Sequence, residues 1–220
     1  MNPRWGESIE GGFFDSITHS YRDSEGKMIP SVTQIFDLLG ITDFSLVPEA
    51  TLEWKRNFGN ALHRGLELLV FDHLDWDTCA DPIIAPLTGL EEWLKSVDYK
   101  PEFAEEKRII TVNGMKVGGT LDHRGSFMYK GKRRAAVIDV KSGSKYSKSW
   151  LWQVAVYCSG APKHELGTYL GIVLQVDPDG KVNPFFSDTL VDLREFTTLL
   201  AATNILLNNG MVKLKNKEED

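Results

Sequence analysis

"AAVIDVKSGSKYSKSWLWQVAVY", residues 135–157, holds the feature on which the fold turns. It opens with consecutive apolar residues, the pattern of a strand covered on both faces, and from Ser149 it continues as an amphipathic helix. Two charges, Asp139 and Lys141, interrupt the apolar run. A charge buried without a partner is costly, so two in a core strand need something to face. Residues i and i+2 of a strand share a face, which sets Asp139 beside Lys141 and turns Val140 into the core. The D/E-x-K spacing has little weight alone, because the chain contains six such triplets. Five fall in turns, helices or polar stretches, and only Asp139–Lys141 ends an apolar strand.

The preceding strand carries a further carboxylate, Asp122, within "VGGTLD". Pairing the two strands through the turn "YKGKR" can bring Asp122 close to Asp139. Carboxylates a few ångströms apart repel unless they share a cation or a proton. Hard oxygen donors with no cysteine nearby suit Mg²⁺ or Mn²⁺. A lysine alongside steadies a developing oxyanion or helps to orient an attacking water. Gly118 and Gly119 leave room for close backbone approach. The plainer reading of the same residues is a strand-end ion pair, with Asp122 stabilising a turn.

Outward from this centre, "THSYRDSEGKMIP" reads as a hairpin turning at Ser24–Gly26. A short helix follows, started by Pro30 and Ser31 and stopped by Gly40. Apolar residues at helical spacing predict a second helix over 51–71, then a loop over 72–86 and a helix over 87–97. Strands are expected in "EKRIITVN", "KVGGTLDHRGSFMY" and "RAAVIDVKSG", the first pair joined at Asn113–Gly114. A helix from 149, a buried strand in "GTYLGIVLQV" and a closing helix over 189–208 complete the order. This order predicts an α/β fold with a central mixed β-sheet flanked by helices. The expected organisation is one domain over 1–212, with a hairpin and helices in 1–100, a core in 101–177 and a flexible tail over 213–220.

A length of 220 residues, 42% apolar and 25% charged, fits one globular domain with a substantial core. No basic segment followed by an apolar run opens the sequence, and no apolar run approaches a membrane span of roughly 18 residues. A cytoplasmic protein with no membrane partner is therefore expected. Two cysteines, Cys79 and Cys158, cannot build a four-thiolate cluster. The net charge of −6 argues against a protein that coats nucleic acid, yet seven basic residues and one acid lie between Lys130 and Lys148. Such a window is either a local footprint for a polyanion or a solvated hairpin tip.

At this point the sequence resembles the PD-(D/E)xK nucleases, specifically their RecB-like branch. "GNALHRGLELL" resembles that branch's helix with an early histidine, here His63. "EEKRI" resembles the opening of a strand that carries a glutamate, with Glu106 preferred over its neighbour Glu105. "GGTLDH" matches the G-x-x-D element at Asp122, "VIDVKSG" the D/E-x-K element, and "QVAVY" the Q-x-x-x-Y helix at Gln153 and Tyr157. "PSVTQIFDLLG" and "LEWKRNFGNALH" resemble segments of phage-encoded exonucleases and of the mitochondrial genome maintenance exonuclease. The likeness runs from about Ser31 to Val176, and five elements in order carry more weight than any one of them.

The resemblance implies a restriction-endonuclease-like core and metal-dependent hydrolysis of DNA that leaves a 5′-phosphate and a 3′-hydroxyl. It implies one or two Mg²⁺ or Mn²⁺ ions on His63, Glu106, Asp122 and Asp139, with Lys141 assisting and Gln153 supporting it. No iron–sulfur cluster is expected, since members that hold one carry four cysteines. No Walker-type "GxxxxGK[ST]" occurs, so a motor would be a separate chain. Tyr157 shares a helix face with Gln153 and is a candidate for meeting a phosphate or base. Tyr146, Trp150 and Trp152, beside Lys145 and Lys148, are candidates for stacking on single-stranded bases, as is the Trp54–Arg56 segment; core packing explains at least one tryptophan equally well. The expected function is an exonuclease acting from a free single-stranded DNA end in recombination, repair or replication, with a single-strand-binding or recombination protein as partner. The alternatives are a structure-specific endonuclease and a non-catalytic nucleic-acid-binding module.

Overall fold

The computed structural model describes residues 6–42, 45–143 and 145–214. Its centre is a five-stranded sheet of β5 (Lys100–Val112), β6 (Met115–Tyr129), β7 (Lys132–Lys141), β8 (Leu170–Val176) and β9 (Val182–Phe186), in that spatial order. Neighbours are antiparallel except β7 and β8, which are parallel. A parallel pair needs a crossover, and helix α4 (Lys148–Gly160) supplies it. The tight turns at Asn113–Gly114 and Lys130–Gly131 hold both residues at positive φ, the requirement of two-residue hairpins.

Helices cover both faces, as a sheet of continuous apolar strands demands. On one side α4, α5 (Thr189–Asn208) and α1 (Val32–Leu38) bury Val137, Val154, Val173, Phe196 and Leu200. On the other, α2 (Glu49–Val70) and α3 (Asp81–Ser96) bury Leu62, Leu66, Leu87, Leu90, Ile138 and Ile172. A Cβ on Gly65 of α2 would sit 2.7 Å from a methyl of Leu87, so that glycine sets how closely α2 and α3 approach. Ser31 caps α1 through a reciprocal capping box with Gln34.

A second, four-stranded antiparallel sheet precedes these elements: β1 (Glu7–Ile9), β2 (Gly12–Asp15), β3 (Ser20–Asp23) and β4 (Met28–Ile29). It leans on β5 and β6, with Ile109 N–H donating to Glu10 C=O and Gly118 N–H to Pro30 C=O. Phe14, Tyr21 and Ile29 form its small core against Ile109.

The α/β class, the mixed sheet and the flanking helices are as the sequence predicts. Several boundaries differ. Helix α3 begins at Asp81, inside the expected loop: Pro82 occupies its first turn, where no N–H is needed, and the buried stripe Ile83, Leu87, Leu90, Leu94 carries the helix through Pro86. Strand β5 begins at Lys100, before the expected start. Strand β9 and the hairpin β1–β2 are additions, and Pro184 in β9 is tolerated on an edge strand. Of the expected tail, 215–220 lie outside the described residues, while Lys213 and Leu214 line a cavity. No helix among the described residues is long and apolar enough to cross a membrane.

Candidate metal and phosphate site

The site forms where sheet regularity breaks down. The ladder between β6 and β7 runs from Tyr129↔Lys132 to His123↔Ile138 and ends there. The next rung is replaced by a side chain: Asp122 Oδ2 accepts the Val140 N–H at 2.9 Å. On β5, the rungs Ala104↔His123 and Glu106↔Leu121 flank Glu105. Glu105 lies in the left-handed region, φ 53°, a costly conformation for a residue with a side chain. Phe103 and Glu106 both meet Arg124, although strict alternation sets residues three apart on opposite faces. The left-handed step thus resets the alternation of β5.

Glu105 is released toward α2. One donor atom each from His63, Glu105 and Asp122 lies within 4.8 Å of the others, and His63 Nδ1 is 3.3 Å from Asp122 Oδ2. His63 reaches the group from the middle of α2. Beside them, at the end of β7, Asp139 is fully buried with Lys141 Nζ 2.8 Å from its Oδ2. Among the described residues this ammonium is the one partner of the buried carboxylate.

The electrostatics follow from burial and from acid beside acid. Burial pushes the Asp139 carboxyl up to about 6, with Lys141 opposing the rise and Asp122 adding to it. Burial likewise raises Glu105, and Asp122 reinforces it. For Lys141 burial works against the charged form, but Asp139 and Asp122 together hold the ammonium above its ordinary range. These side chains therefore crowd negative charge that Lys141 offsets in part. Three carboxylates, one imidazole and no thiol, with a buried carboxylate met by a single lysine, fit a hard divalent cation such as Mg²⁺ or Mn²⁺.

A cavity of about 750 Å³ opens over this group. His63, Asp122, Lys141, Gln153 and Tyr157 all line it. Gln153 Nε2 donates to Tyr157 Oη at 2.9 Å, and both residues are buried. The two glycines expected to leave room for close backbone approach admit rings: a Cβ on Gly119 would overlap the Tyr157 ring, and one on Gly118 would overlap Tyr21. Tyr21 then hydrogen-bonds Thr120, Oη to Oγ1, at 2.8 Å, so these glycines shape the cavity by fitting its tyrosine walls.

The structure corrects the choice between adjacent glutamates. Glu106 accepts from Arg108 at 2.8 Å and from Arg124 at 3.0 Å; Glu105 faces the site. The expected nucleic-acid contacts divide. Lys148 pairs with Asp192 and Glu195, and Trp150 packs on the main core. Tyr146 is 49% exposed and stands against Phe185 and Trp150. Lys145 is exposed, and exposed Arg56 lies 3.7 Å from Glu49. The basic window does not act as one patch: Lys132 and Lys141 are the two ends of β7, roughly 30 Å apart at about 3.3 Å per residue. Residues not anticipated by sequence also line the cavity, among them His19, Thr33, Asn60 and Lys213.

No protein-family model matches this chain, and no curated protein does. Among solved structures it is similar to "Crystal structure of SSO0001", at a TM-score of 0.31 and 21% identity, over 59% of this chain and 58% of that one. A likeness at that level carries no argument about fold or function.

Proposed function

We propose that the chain is a metal-dependent deoxyribonuclease on a restriction-endonuclease-like core, acting as an exonuclease from a free single-stranded end. The observation that carries the reading is the acid-rich group itself: His63, Glu105 and Asp122 converge within 4.8 Å beside a fully buried Asp139 whose one partner among the described residues is the Lys141 ammonium. Holding these carboxylates together with one lysine is costly without a ligand. His63, Glu105, Asp122 and Asp139 would hold the cation. When bound, it would supply Lewis-acid charge at a phosphodiester and lower the pKa of a water.

The chain's own residues do the rest. Lys141 presents its ammonium at the cavity, where it offsets negative charge developing on a phosphate oxygen. Gln153 and Tyr157 form a hydrogen-bonded wall behind it and fix the space that the phosphate can occupy. Asp122 is held in orientation by the Val140 amide, so a ligand meets a preset oxygen. The cavity is walled by β3, α1 and α2 as well as by the sheet, which suits a single strand better than a duplex.

The test is to incubate the protein with single- and double-stranded DNA labelled at either end, with Mg²⁺, Mn²⁺ or EDTA, beside Lys141→Ala. Metal-dependent degradation that the substitution abolishes supports the nuclease, and the order of label release gives its polarity. Cutting of closed circles as readily as linear DNA would replace the exonuclease by a structure-specific endonuclease. DNA binding without cleavage would leave a non-catalytic binding module.

A further inference from the structure

A polyanionic strand in the cavity needs positive charge beyond a metal site, yet most cations near it are already committed. Lys141 is paired with Asp139, Arg64 with Glu67, and Lys148 with Asp192 and Glu195. The basic residues 132–134 lie at the far end of β7. Lys213 differs: it lines the same cavity as His63, Asp122 and Lys141, it is exposed, and among the described residues no acid pairs with it.

Its position has a structural cause. Helix α5 ends in a Schellman motif: Gly210 N–H donates to Leu207 C=O at 3.1 Å, Met211 N–H to Leu206 C=O at 2.9 Å, and Gly210 lies at φ 66°. This turn reverses the chain and carries Lys213 and Leu214 back to the cavity, where Leu214 is half-buried. A Cβ on Gly210 would meet no atom within 4 Å, so its requirement is conformational alone.

We infer that Lys213 is a phosphate-contacting residue for the strand, delivered to the cavity by the glycine turn at the end of α5. The inference rests on the nuclease reading and adds where the strand lies: between the carboxylate group and the C-terminal segment, against α1. A lysine contacts phosphate as a point charge on a flexible stem and reads no base, so the effect is independent of sequence.

The experiment measures binding of a fluorescently labelled single-stranded oligonucleotide by anisotropy in EDTA, over a series of salt concentrations. It compares the full wild-type chain with Lys213→Ala, Lys213→Arg and Gly210→Val, with melting temperatures and Mn²⁺-dependent cleavage measured in parallel. Lys213→Ala should weaken binding several-fold and flatten the log–log salt dependence by about 0.7, the loss of one contact to a single strand. Lys213→Arg should restore both, and Gly210→Val, which keeps the lysine but misdirects it, should weaken binding in the same direction. Unchanged affinity and salt slope in Lys213→Ala, with wild-type binding intact, overturns this inference and leaves the nuclease reading standing. A wild-type chain that neither binds nor cleaves the oligonucleotide overturns both.

Discussion

Two charged clusters meet on strands β5 and β6, one residue apart, and they are built on opposite principles. In the first, Arg108 and Arg124, each only 6% exposed, are met by Glu10, Glu102 and Glu106, and Arg124 also donates to Tyr169. Every acid has a guanidinium or imidazole, with His164 on Glu102 at 2.6 Å. In the second, Glu105, Asp122 and Asp139 share one lysine and one histidine. A satisfied network ties strands together, while crowded carboxylates that share few cations repel one another. The difference separates a glutamate paired with arginines from one that faces the acid-rich group, although the two are sequence neighbours.

The sharpest way to break this comparison is to exchange the roles of the neighbours. Glu105→Gln, like Asp139→Asn, is expected to lower metal-dependent DNA cleavage by roughly 10²–10³-fold or more with little change in melting temperature, whereas Lys141→Ala should lose cleavage and also about 3–5 kcal/mol of stability, because the buried Asp139 loses its partner. Glu106→Gln should do the reverse, costing about 2 kcal/mol of stability because Arg124 keeps Glu102 as a partner, with cleavage within a few-fold of wild type. End-labelled digestion and chemical unfolding read the two effects; equal cleavage losses in both would end the distinction.

Cation addition sharpens it. A thermal shift with Mn²⁺ at about 100 times its Kd should stabilise the wild type by about 2.7 kcal/mol. The shift should vanish in Glu105→Gln and persist in Glu106→Gln. Tyr157 links cavity shape to the same cluster, and Gly119→Ala, whose methyl overlaps that ring, should cost about 1–3 kcal/mol and lower cleavage by displacing the Gln153–Tyr157 wall. Lys148→Ala is expected to cost about 1–3 kcal/mol, because Asp192 is 1% exposed and would keep only the Ser187 hydroxyl. Affinity for single-stranded DNA should stay within about twofold, since that lysine is held by acids. The smallest effect is for Arg134→Ala at the far end of β7, within about 0.5 kcal/mol and without effect on cleavage.

What sequence made legible follows from which physical signals are local. The pairing of β6 with β7 was readable from apolar strands and a Lys130–Gly131 turn, and α4 from its helical period, so Asp122, Asp139 and Lys141 could be placed on neighbouring strands. The strands of the β1–β2 hairpin and β9 are only three to five residues long, too short to present a periodicity. Helix α3 starts six residues before its expected position at 87, because burial of Ile83, Leu87, Leu90 and Leu94 decides where that helix runs. Glu105 was hidden for a different reason: a left-handed step inside a strand inverts the alternation on which side-chain facing is argued. Lys213 could not be placed because its position depends on tertiary packing beyond a helix cap, although Asn209–Gly210 announces the cap itself.

Asp122 is at once a rung of the sheet and a member of the acid-rich group, since its carboxylate takes the Val140 amide where the β6–β7 ladder ends. One backbone proton is thereby made a gauge of the site. Whatever draws electron density from that carboxylate weakens its hold on the Val140 N–H, and whatever anchors the carboxylate slows the local splaying that lets this proton exchange with solvent. Hydrogen exchange at a single amide can therefore follow occupancy of the site in a protein that carries no label and turns over no substrate.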